Sequence, residues 1–428
     1  MALVSKAASA QGGNPGRALL GLKRTGWLGL MAALALVAAA CGASPTTKTP
    51  PKGVSVPNVS VKSFTLNFSA MSQFKSLEGA GKGPVGVILP DTVSSTRYVE
   101  FDAPYITEAL QKAGYPSSDI IVTNAQGSDA TELSMAESDI TKGAKVLVMD
   151  PIDGTVASEI QSYAASHGVA LISYDRATFA GTKTYYVSFD NFKVGQLIGQ
   201  GFETCISAWG VSSPQVWEVD GGENSDPNAI SFAQGYNSVI WGTKTTPLTA
   251  PKTNSKGFSL VGDQITLNWD VATAGTNFAQ ALTAHPSINA VVVANDEMNA
   301  EVVQDIKNKG VGPKTIPTTG QDATLIGAEN ILDGYQCGTV YKPIYLEAQD
   351  AVALATILRA GKTPPAGLLN STTTDPASAS ITEPASLLTP EWVTPSNMES
   401  TLIKDKFIPA SALCSAVGQS VCSKAGIH

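Results

Sequence analysis

The sequence has few of the residues on which enzyme active sites depend. Its 428 residues include only three histidines, His167, His285 and His428, and none has the spacing of a metal site or a catalytic triad. The nucleophile motif G-x-S-x-G, the zinc motif H-E-x-x-H and the Walker A loop are absent. We therefore expect no enzyme, although a glycosidase with two catalytic carboxylates is an alternative because carboxylates are plentiful.

The sequence is also poor in positive charge. It has 28 Lys and Arg against 36 Asp and Glu, a formal net charge of -8 at pH 7. Surfaces that bind nucleic acid are usually basic, so we expect no nucleic-acid partner. A composition of 43% hydrophobic and 15% charged residues is that of a globular protein, and the length suggests two domains.

Long apolar runs are lacking after the first forty residues, which differ from the rest. Lys23 and Arg24 precede an apolar run over residues 27–40, the pattern of a secretory signal and too short for a comfortable membrane span. The run ends in Ala-Ala-Ala-Cys-Gly, which is similar to a bacterial lipobox with Cys41 as the lipidated residue. We predict a lipoprotein signal peptide over 1–40. Plain secretion with an incidental cysteine, or a transmembrane anchor, are the alternatives.

Residues 42–53 are rich in Pro, Thr and Ser without apolar periodicity, so they cannot bury a core. We predict a tether over 41–83. Phe64, Phe68 and Phe74 lie within it and are candidates for packing on the body of the protein.

Cysteine is scarce, with five residues in all. If Cys41 is lipidated, four remain in a setting that permits disulfides. Cys414 and Cys422 are close in sequence and are predicted to pair, which leaves Cys205 with Cys337. Four cysteines allow three connectivities, and buried free thiols at Cys205 and Cys337 are the alternative.

From Pro84 the sequence alternates short strands with amphipathic helices. The runs VGVIL at 85–89 and VLVM at 146–149 are typical of strands buried on both faces. A helical pattern over 97–113 ends at Gly114, as helices often do. This alternation of strands and helices occurs in two successive parts of the chain. We therefore predict an α/β protein with two doubly wound parallel-sheet lobes.

Polar residues follow most of the predicted strands, at the edge where open α/β sheets bind ligands. Carboxylates accept hydrogen bonds, amides both donate and accept, Arg and Lys donate, and aromatic faces can cover C–H groups. A helix N-cap is the alternative at Asp190 and Asp296, and a core position is the alternative at Trp269. The candidate ligand-binding residues are Arg97, Tyr98, Asp175, Arg176, Asp226, Asn228, Trp269, Asn295, Asp322 and Lys342.

Several segments around these residues resemble the type I periplasmic sugar-binding proteins of ABC importers, most closely their xylose-binding members. The likeness extends over about residues 84–358. Its most specific segments are LISYDR at 171–176, YVSFDN at 186–191, AND at 294–296, GQDA at 320–323 and TVYKP at 339–343.

The resemblance implies two lobes joined by three crossings, which close on one sugar held by the ten candidates. The implied lobes are 84–190 with 343–386, and 191–342 with 387–428. Asp175 and Arg176 match the pair that grips ring hydroxyls in this family. Tyr98 stands where the xylose binders usually carry Trp, which leaves the identity of the sugar open.

The resemblance also implies a function. The protein would capture a monosaccharide, xylose-like or a hexose, and deliver it to an ABC permease. It would act as a monomer without cofactor or metal, lipid-anchored at the outer face of the bacterial cell membrane. A binding protein that presents sugar to a membrane receptor is the alternative. A sugar-responsive repressor with this fold would need an N-terminal helix-turn-helix, where this chain has a signal.

Overall fold

The computed structural model describes residues 53–179, 184–222 and 226–428. The predicted signal peptide, Cys41 and the first part of the predicted tether lie outside the described residues. Within these ranges, no helix has both the length and the apolar character needed to cross a membrane.

Strands and helices alternate along most of the described chain. The strands are β1 (Val85–Leu89), β2 (Ile120–Asn124), β3 (Val146–Met149), β4 (Ala170–Tyr174), β5 (Thr184–Phe189), β6 (Gln215–Gly221), β7 (Lys252–Thr253), β8 (Ser259–Thr266), β9 (Ala290–Val293), β10 (Gly320–Gln321), β11 (Thr339–Tyr341), β12 (Ser371–Asp375), β13 (Ser378–Leu388) and β14 (Glu391–Val393). The α-helices are α1 (Lys75–Glu78), α2 (Ala103–Ala113), α3 (Asp129–Thr141), α4 (Gly154–Ser166), α5 (Asn191–Ala208), α6 (Pro227–Ile240), α7 (Val271–Ala284), α8 (Asp296–Asn308), α9 (Leu325–Leu332), α10 (Ile344–Arg359), α11 (Ala410–Val417) and α12 (Gln419–Lys424).

The first lobe is built on a seven-stranded sheet of order β12-β13-β5-β4-β3-β1-β2. Strands β1 to β5 are mutually parallel and follow the order 2-1-3-4-5 of a doubly wound sheet. Every residue of β1 and β3 is buried, which explains their continuous apolar runs. At the other edge β13 pairs parallel with β5, and β12 pairs antiparallel with β13. The sequence did not predict this β12–β13 hairpin.

The helix predicted over 97–113 has two parts. A π-helical turn, Tyr98–Asp102, leads directly into α2, which ends at Gly114 with φ 101°. Because only glycine adopts that angle without strain, Gly114 is the helix stop that the sequence predicted.

The segment before β1 belongs to the first lobe. Phe64, Phe68, Met71, Phe74 and Leu77 are all buried in the hydrophobic core that also contains residues of α2 and α10. The tether predicted over 41–83 is therefore shorter than expected, because its aromatic residues are core residues.

The second lobe contains two sheets, β7-β8-β6-β9 and β10-β11-β14. A backbone hydrogen bond of 2.9 Å from the N–H of Val291 to the carbonyl oxygen of Pro317 joins β9 to the segment that leads into β10. Strand β10 itself is short and covers only Gly320–Gln321. Helices α5 and α6 pack closely at Gly195, where a Cβ would lie 2.1 Å from the carbonyl oxygen of Phe232.

The chain passes between the lobes three times, after β5, after β11 and after β13. The second crossing leads into α10, which packs on strands of the first lobe and is buried along almost its whole length. The predicted architecture of two doubly wound lobes with three crossings is confirmed.

Both predicted disulfides are present, which confirms the pairing. Cys205 of α5 bonds to Cys337, just before β11, and Cys414 of α11 bonds to Cys422 of α12.

Candidate functional site

The carboxyl ends of strands from both lobes face each other around a small cavity. Nine of the ten predicted residues lie on its wall. The lining residues are Ser94, Ser95, Arg97, Tyr98, Asp175, Arg176, Asn228, Phe232, Trp269, Asn295, Gln321, Asp322 and Lys342. The sequence therefore identified the residues that the fold brings together, although their role in binding is still a prediction.

Arg97 is the centre of a buried charged network in the first lobe. Its Nε and Nη2 donate to the two carboxylate oxygens of Asp102 at 2.9 and 2.8 Å. Nη1 donates to Asp175 at 2.8 Å, and Nη2 also donates to Glu347 at 2.8 Å. A guanidinium held on three sides in this way is fixed in position, so Arg97 orients Asp175 toward the cavity.

Asp175 follows β4 in the left-handed region of backbone conformation, with φ 56°. That conformation is uncommon for residues other than glycine. Its carbonyl oxygen accepts hydrogen bonds from the hydroxyl of Tyr186 at 2.7 Å and from Nδ2 of Asn228 at 3.0 Å, which stabilise it. Burial opposes ionisation of the carboxyl, but the charges of Arg97, Lys342 and Arg176 outweigh it and hold the pKa of Asp175 below its usual range.

Charges of opposite sign also pair across the cavity. Lys342 of the second lobe lies with its Nζ 3.0 Å from Asp322 and 3.6 Å from Asp175. Arg176 of the first lobe lies with its Nε 3.7 Å from Asp226 of the second lobe. Buried charges that are paired in this way offset the cost of removing each other from water.

Asp226 is the one predicted residue that lies behind the wall. It caps α6, accepting from the backbone N–H groups of Asn228 and Ala229 at 2.8 and 3.2 Å. Its other oxygen accepts from the indole Nε1 of Trp269 at 2.8 Å. Asp226 therefore acts on the cavity through the aromatic ring that it holds.

Trp269 is buried in contact with the cavity rather than only in the core. Its ring meets that of Phe232 edge-on, with centroids 6.1 Å apart. It also lies against β6, where a Cβ on Gly221 would come within 2.0 Å of the indole, so glycine is required there. Together the two rings form an apolar face on one side of an otherwise polar cavity.

The lobes are closed on each other. Oγ of Ser95 donates to Asp322 at 2.9 Å, and Nδ2 of Asn295 donates to the carbonyl oxygen of Ser94 at 3.1 Å. The backbone N–H of Thr96 donates to Glu297 at 2.9 Å. Three consecutive residues after β1 thus bond to the opposite lobe.

The sequence missed Ser94, Ser95, Gln321 and Phe232 as lining residues. The first three follow or end strands, so the rule that selected Arg97 and Asp322 applies equally to them. Phe232 lies within α6 and carries no such signal, because helical core positions have the same pattern.

A helix N-cap was the alternative for Asp190 and Asp296, and only Asp190 is one. Asp190 caps α5 by accepting from the N–H of Lys193 at 3.0 Å. Asp296 is not a cap, because Asn295 caps α8. Asp296 is instead buried and accepts from Gln336 and Thr339 at 2.7 and 2.9 Å, which ties α8 to the neighbouring chain.

Comparison with known proteins gives a consistent picture. The family described as periplasmic binding protein domain matches residues 85–363. The multiple sugar-binding periplasmic receptor ChvE of Rhizobium radiobacter is 32% identical over 344 residues, 78% of this chain and 93% of that protein. The D-xylose-binding periplasmic protein of Escherichia coli K12 is 33% identical over 307 residues, 71% of this chain and 86% of that protein.

A solved structure with the same fold is the carbohydrate transporter solute binding protein from Chloroflexus aurantiacus, in complex with D-glucose. It superposes with a TM-score of 0.62 at 27% sequence identity and covers 77% of this chain and 97% of that chain. Since the family match spans most of the two described lobes, the chain belongs to the periplasmic binding protein domain family.

Proposed function

We propose that this protein captures a monosaccharide in the cavity between its lobes and delivers it to the permease of an ABC transporter, without catalysing a reaction. The observation that carries this proposal is the cavity between the lobes, which is walled by paired charges from both lobes and by two aromatic rings.

The charges favour a neutral ligand. Each cation that lines the cavity has a carboxylate beside it: Asp175 beside Arg97, Asp226 beside Arg176 and Asp322 beside Lys342. No lining cation of the described residues is therefore left unpaired to attract an anion. A sugar hydroxyl, by contrast, can donate to these carboxylates and accept from their partners.

The size and the aromatic face favour a single ring. The lining residues leave only a small space between the lobes, so a single sugar ring fits better than an oligosaccharide. The C–H face of a pyranose is apolar and stacks on aromatic rings such as Trp269.

Closure is the mechanism that we propose for capture. The hydrogen bonds from Ser95 to Asp322 and from Asn295 to Ser94 exist only when the lobes meet. A ligand that bonds to both lobes binds the closed form more tightly than the open one, and this difference in affinity shifts the population toward closure.

The ligand that we propose is a xylose-like aldopentose or a hexose. The relatives support this range, since one is a multiple sugar-binding receptor, another binds D-xylose, and the Chloroflexus structure holds D-glucose. Tyr98 lies between Asp175 and Arg176, with its hydroxyl 3.4 and 3.2 Å from them, and is the residue that we expect to discriminate between sugars.

We further propose that the protein works as a monomer, lipid-anchored through Cys41 at the outer face of the cell membrane. The lipobox-like sequence supports the anchor. So does cysteine usage, because the two disulfides account for four of the five cysteines and leave Cys41.

The test is a thermal shift of the purified protein against a panel of pentoses and hexoses. A sugar at about 100 times its dissociation constant adds about 2.7 kcal/mol to the free energy of unfolding, which gives a clear rise in melting temperature. Lys342→Met should abolish the shift, because Asp322 and Asp175 lose the ammonium group between them. Lys404→Met, at an exposed position, is the matched control and should respond like the wild type.

If no sugar shifts the wild type, the proposed ligand class is wrong. If Lys342→Met responds as the wild type does, the cavity is not the binding site.

A further inference from the structure

A second group of buried carboxylates lies in the second lobe, outside the sugar cavity. Glu218 and Asp220 are alternate residues of β6, so their side chains point to the same face of the sheet. Asp263 on β8 is the register partner of Glu218. One oxygen of each side chain lies within 4.8 Å of the others, and we call these three residues the strand cluster.

The strand cluster has no counter-charge in contact with it. Glu218 and Asp220 are only 0% and 4% exposed, yet none of the three forms an ion pair with a described residue. Lys252 on β7 acts electrostatically on Glu218 but makes no ion pair with it. Three close carboxylates without a cation are unfavourable, because burial and mutual repulsion both oppose their ionisation.

Neutral donors reach some of these oxygens. Tyr236 donates its hydroxyl to Asp220, the indole Nε1 of Trp241 donates to Oε1 of Glu218 at 2.6 Å, and the N–H of Leu248 donates to Oδ2 of Asp263 at 2.5 Å. Each of these donors reaches one oxygen of its carboxylate, and the hydroxyl of Thr246 donates to the second oxygen of Asp220 at 3.4 Å.

Two carboxylate oxygens of the strand cluster have no donor. Oε2 of Glu218 and Oδ1 of Asp263 are buried without any hydrogen-bond partner among the described residues. A buried acceptor without a donor costs the full loss of its hydration. Glu218 is completely buried, so its free oxygen has no contact with bulk solvent. A positive ion within the strand cluster would supply the partner that these carboxylates lack.

Burial also raises the pKa of Glu218 and Asp220 well above the usual range, and that of Asp263 to about 6. Without a cation, the cluster would hold protons near neutral pH. A shared proton between Asp220 and Asp263 is therefore the rival explanation that any experiment must separate.

We propose that Glu218, Asp220 and Asp263 bind a hard divalent cation, Ca²⁺ in the first instance. Carboxylate oxygens are the ligands that Ca²⁺ prefers, at about 2.3–2.6 Å, so ligands on opposite sides of the ion are about 4.8 Å apart. The spread of the three oxygens fits within that distance. No metal is expected from the sequence, where these three residues lie on two separate strands and form no recognisable motif.

The strand cluster has a route to solvent. Asp220 lies on the wall of an open cavity together with Thr246, Pro247 and Ile265. Through this cavity an ion can enter, and water can supply the ligands that three carboxylates leave open, since Ca²⁺ takes six to eight oxygens.

The first measurement uses the whole protein after treatment with EDTA. Ca²⁺ at about 1 mM should raise the melting temperature by about 2–5 °C. Tb³⁺ should bind in its place and emit on excitation of tryptophan, because the indole of Trp241 is bonded to Glu218. Excess Ca²⁺ should displace Tb³⁺ and remove the emission.

Two isosteric variants locate the ion. Glu218→Gln and Asp263→Asn should each weaken the response to Ca²⁺ at least tenfold. Asp305→Asn on α8 removes the same charge outside the strand cluster and should respond like the wild type. The response to sugar should persist in EDTA, because none of the three carboxylates lines the sugar cavity.

The wild-type protein alone can overturn the proposal. If neither Ca²⁺, Mg²⁺ nor Tb³⁺ changes the melting temperature or the emission, the strand cluster holds shared protons and no ion. If the Ca²⁺ response is unchanged in both Glu218→Gln and Asp263→Asn, the ion binds elsewhere and the assignment is wrong.

Discussion

Two groups of buried carboxylates in this molecule differ in whether positive charges lie beside them. Around the sugar cavity, Asp175 has Arg97, Lys342 and Arg176 beside it, and its pKa is held below the usual range. In the strand cluster, Glu218 and Asp220 have no contacting cation, and burial raises their pKa values well above it. All these groups are buried, so burial alone does not decide whether a carboxyl is ionised. The counter-charge that the chain supplies decides it.

The two groups also differ in where their partners come from. The cavity combines charges of both lobes, so its balance is complete only when the lobes close. The strand cluster lies wholly within one lobe and is unaffected by closure. The three predictions that follow test this contrast.

The largest effect is expected from removing the central cation of the cavity network. Arg97→Met leaves Asp102, Asp175 and Glu347 facing one another in the buried interior. Breaking a buried ion pair by removing one partner costs about 3–5 kcal/mol, which urea unfolding measures as a loss of unfolding free energy. Arg97→Lys keeps the charge but loses the fork to Asp102, so it should be destabilised less. A Met variant as stable as the wild type would mean that these carboxyls do not depend on Arg97.

A pH effect is expected from Asp350, a buried carboxyl of α10 that forms no ion pair with a described residue. Burial raises its pKa to about 7. Between about pH 4 and 7 the folded protein therefore holds a proton that the unfolded chain has lost, and stability falls as pH rises. From pH 5 to pH 7 this group alone removes about 2 kcal/mol.

Asp350→Asn should remove that part of the pH dependence, measured as the difference in urea unfolding free energy between pH 5 and pH 7. Asp333→Asn, at an exposed position, is the control. An unchanged difference in Asp350→Asn would show that Asp350 ionises normally inside the lobe and that burial does not control it.

The smallest effect is expected from a neutral contact between the lobes. Ser95→Ala removes the hydrogen bond from Ser95 to Asp322, worth about 1 kcal/mol, and should weaken sugar binding about fivefold in calorimetric titration. The unfolding free energy of the free protein should change little. Ser72→Ala on the surface serves for comparison. An affinity equal to the wild type would assign closure to the charged pairs alone.

The sequence predicted the central strands well because their signal is local. The apolar runs at β1, β3 and β9 reflect burial on both faces, and the structure has strands there with the same or nearly the same bounds. The β12–β13 hairpin was missed because β12 residues such as Ser371 and Thr374 are exposed, and the buried part of β13 around Glu383 and Ser386 carries no apolar run. Its pairing with β5 depends on the tertiary fold.

The cavity between the lobes could be predicted because the carboxyl ends of the strands of two doubly wound lobes face each other across the cleft. Arg97, Asp175 and Lys342 follow strands, and the topology alone brings them together. The strand cluster could not be predicted in this way. Asp220 and Asp263 are separated by more than forty residues, and only the β6–β8 register places the two strands side by side.

The packing of the segment before β1 has a consequence for how the molecule moves. Phe68, Met71 and Phe74 fix that segment into the first lobe. If the chain is anchored before residue 53, as we propose, the anchor holds the first lobe, and opening would move the second lobe relative to it. An anchor on this side would keep the first lobe stationary while the second lobe moves. The cleft would then open with the same orientation relative to the anchor each time.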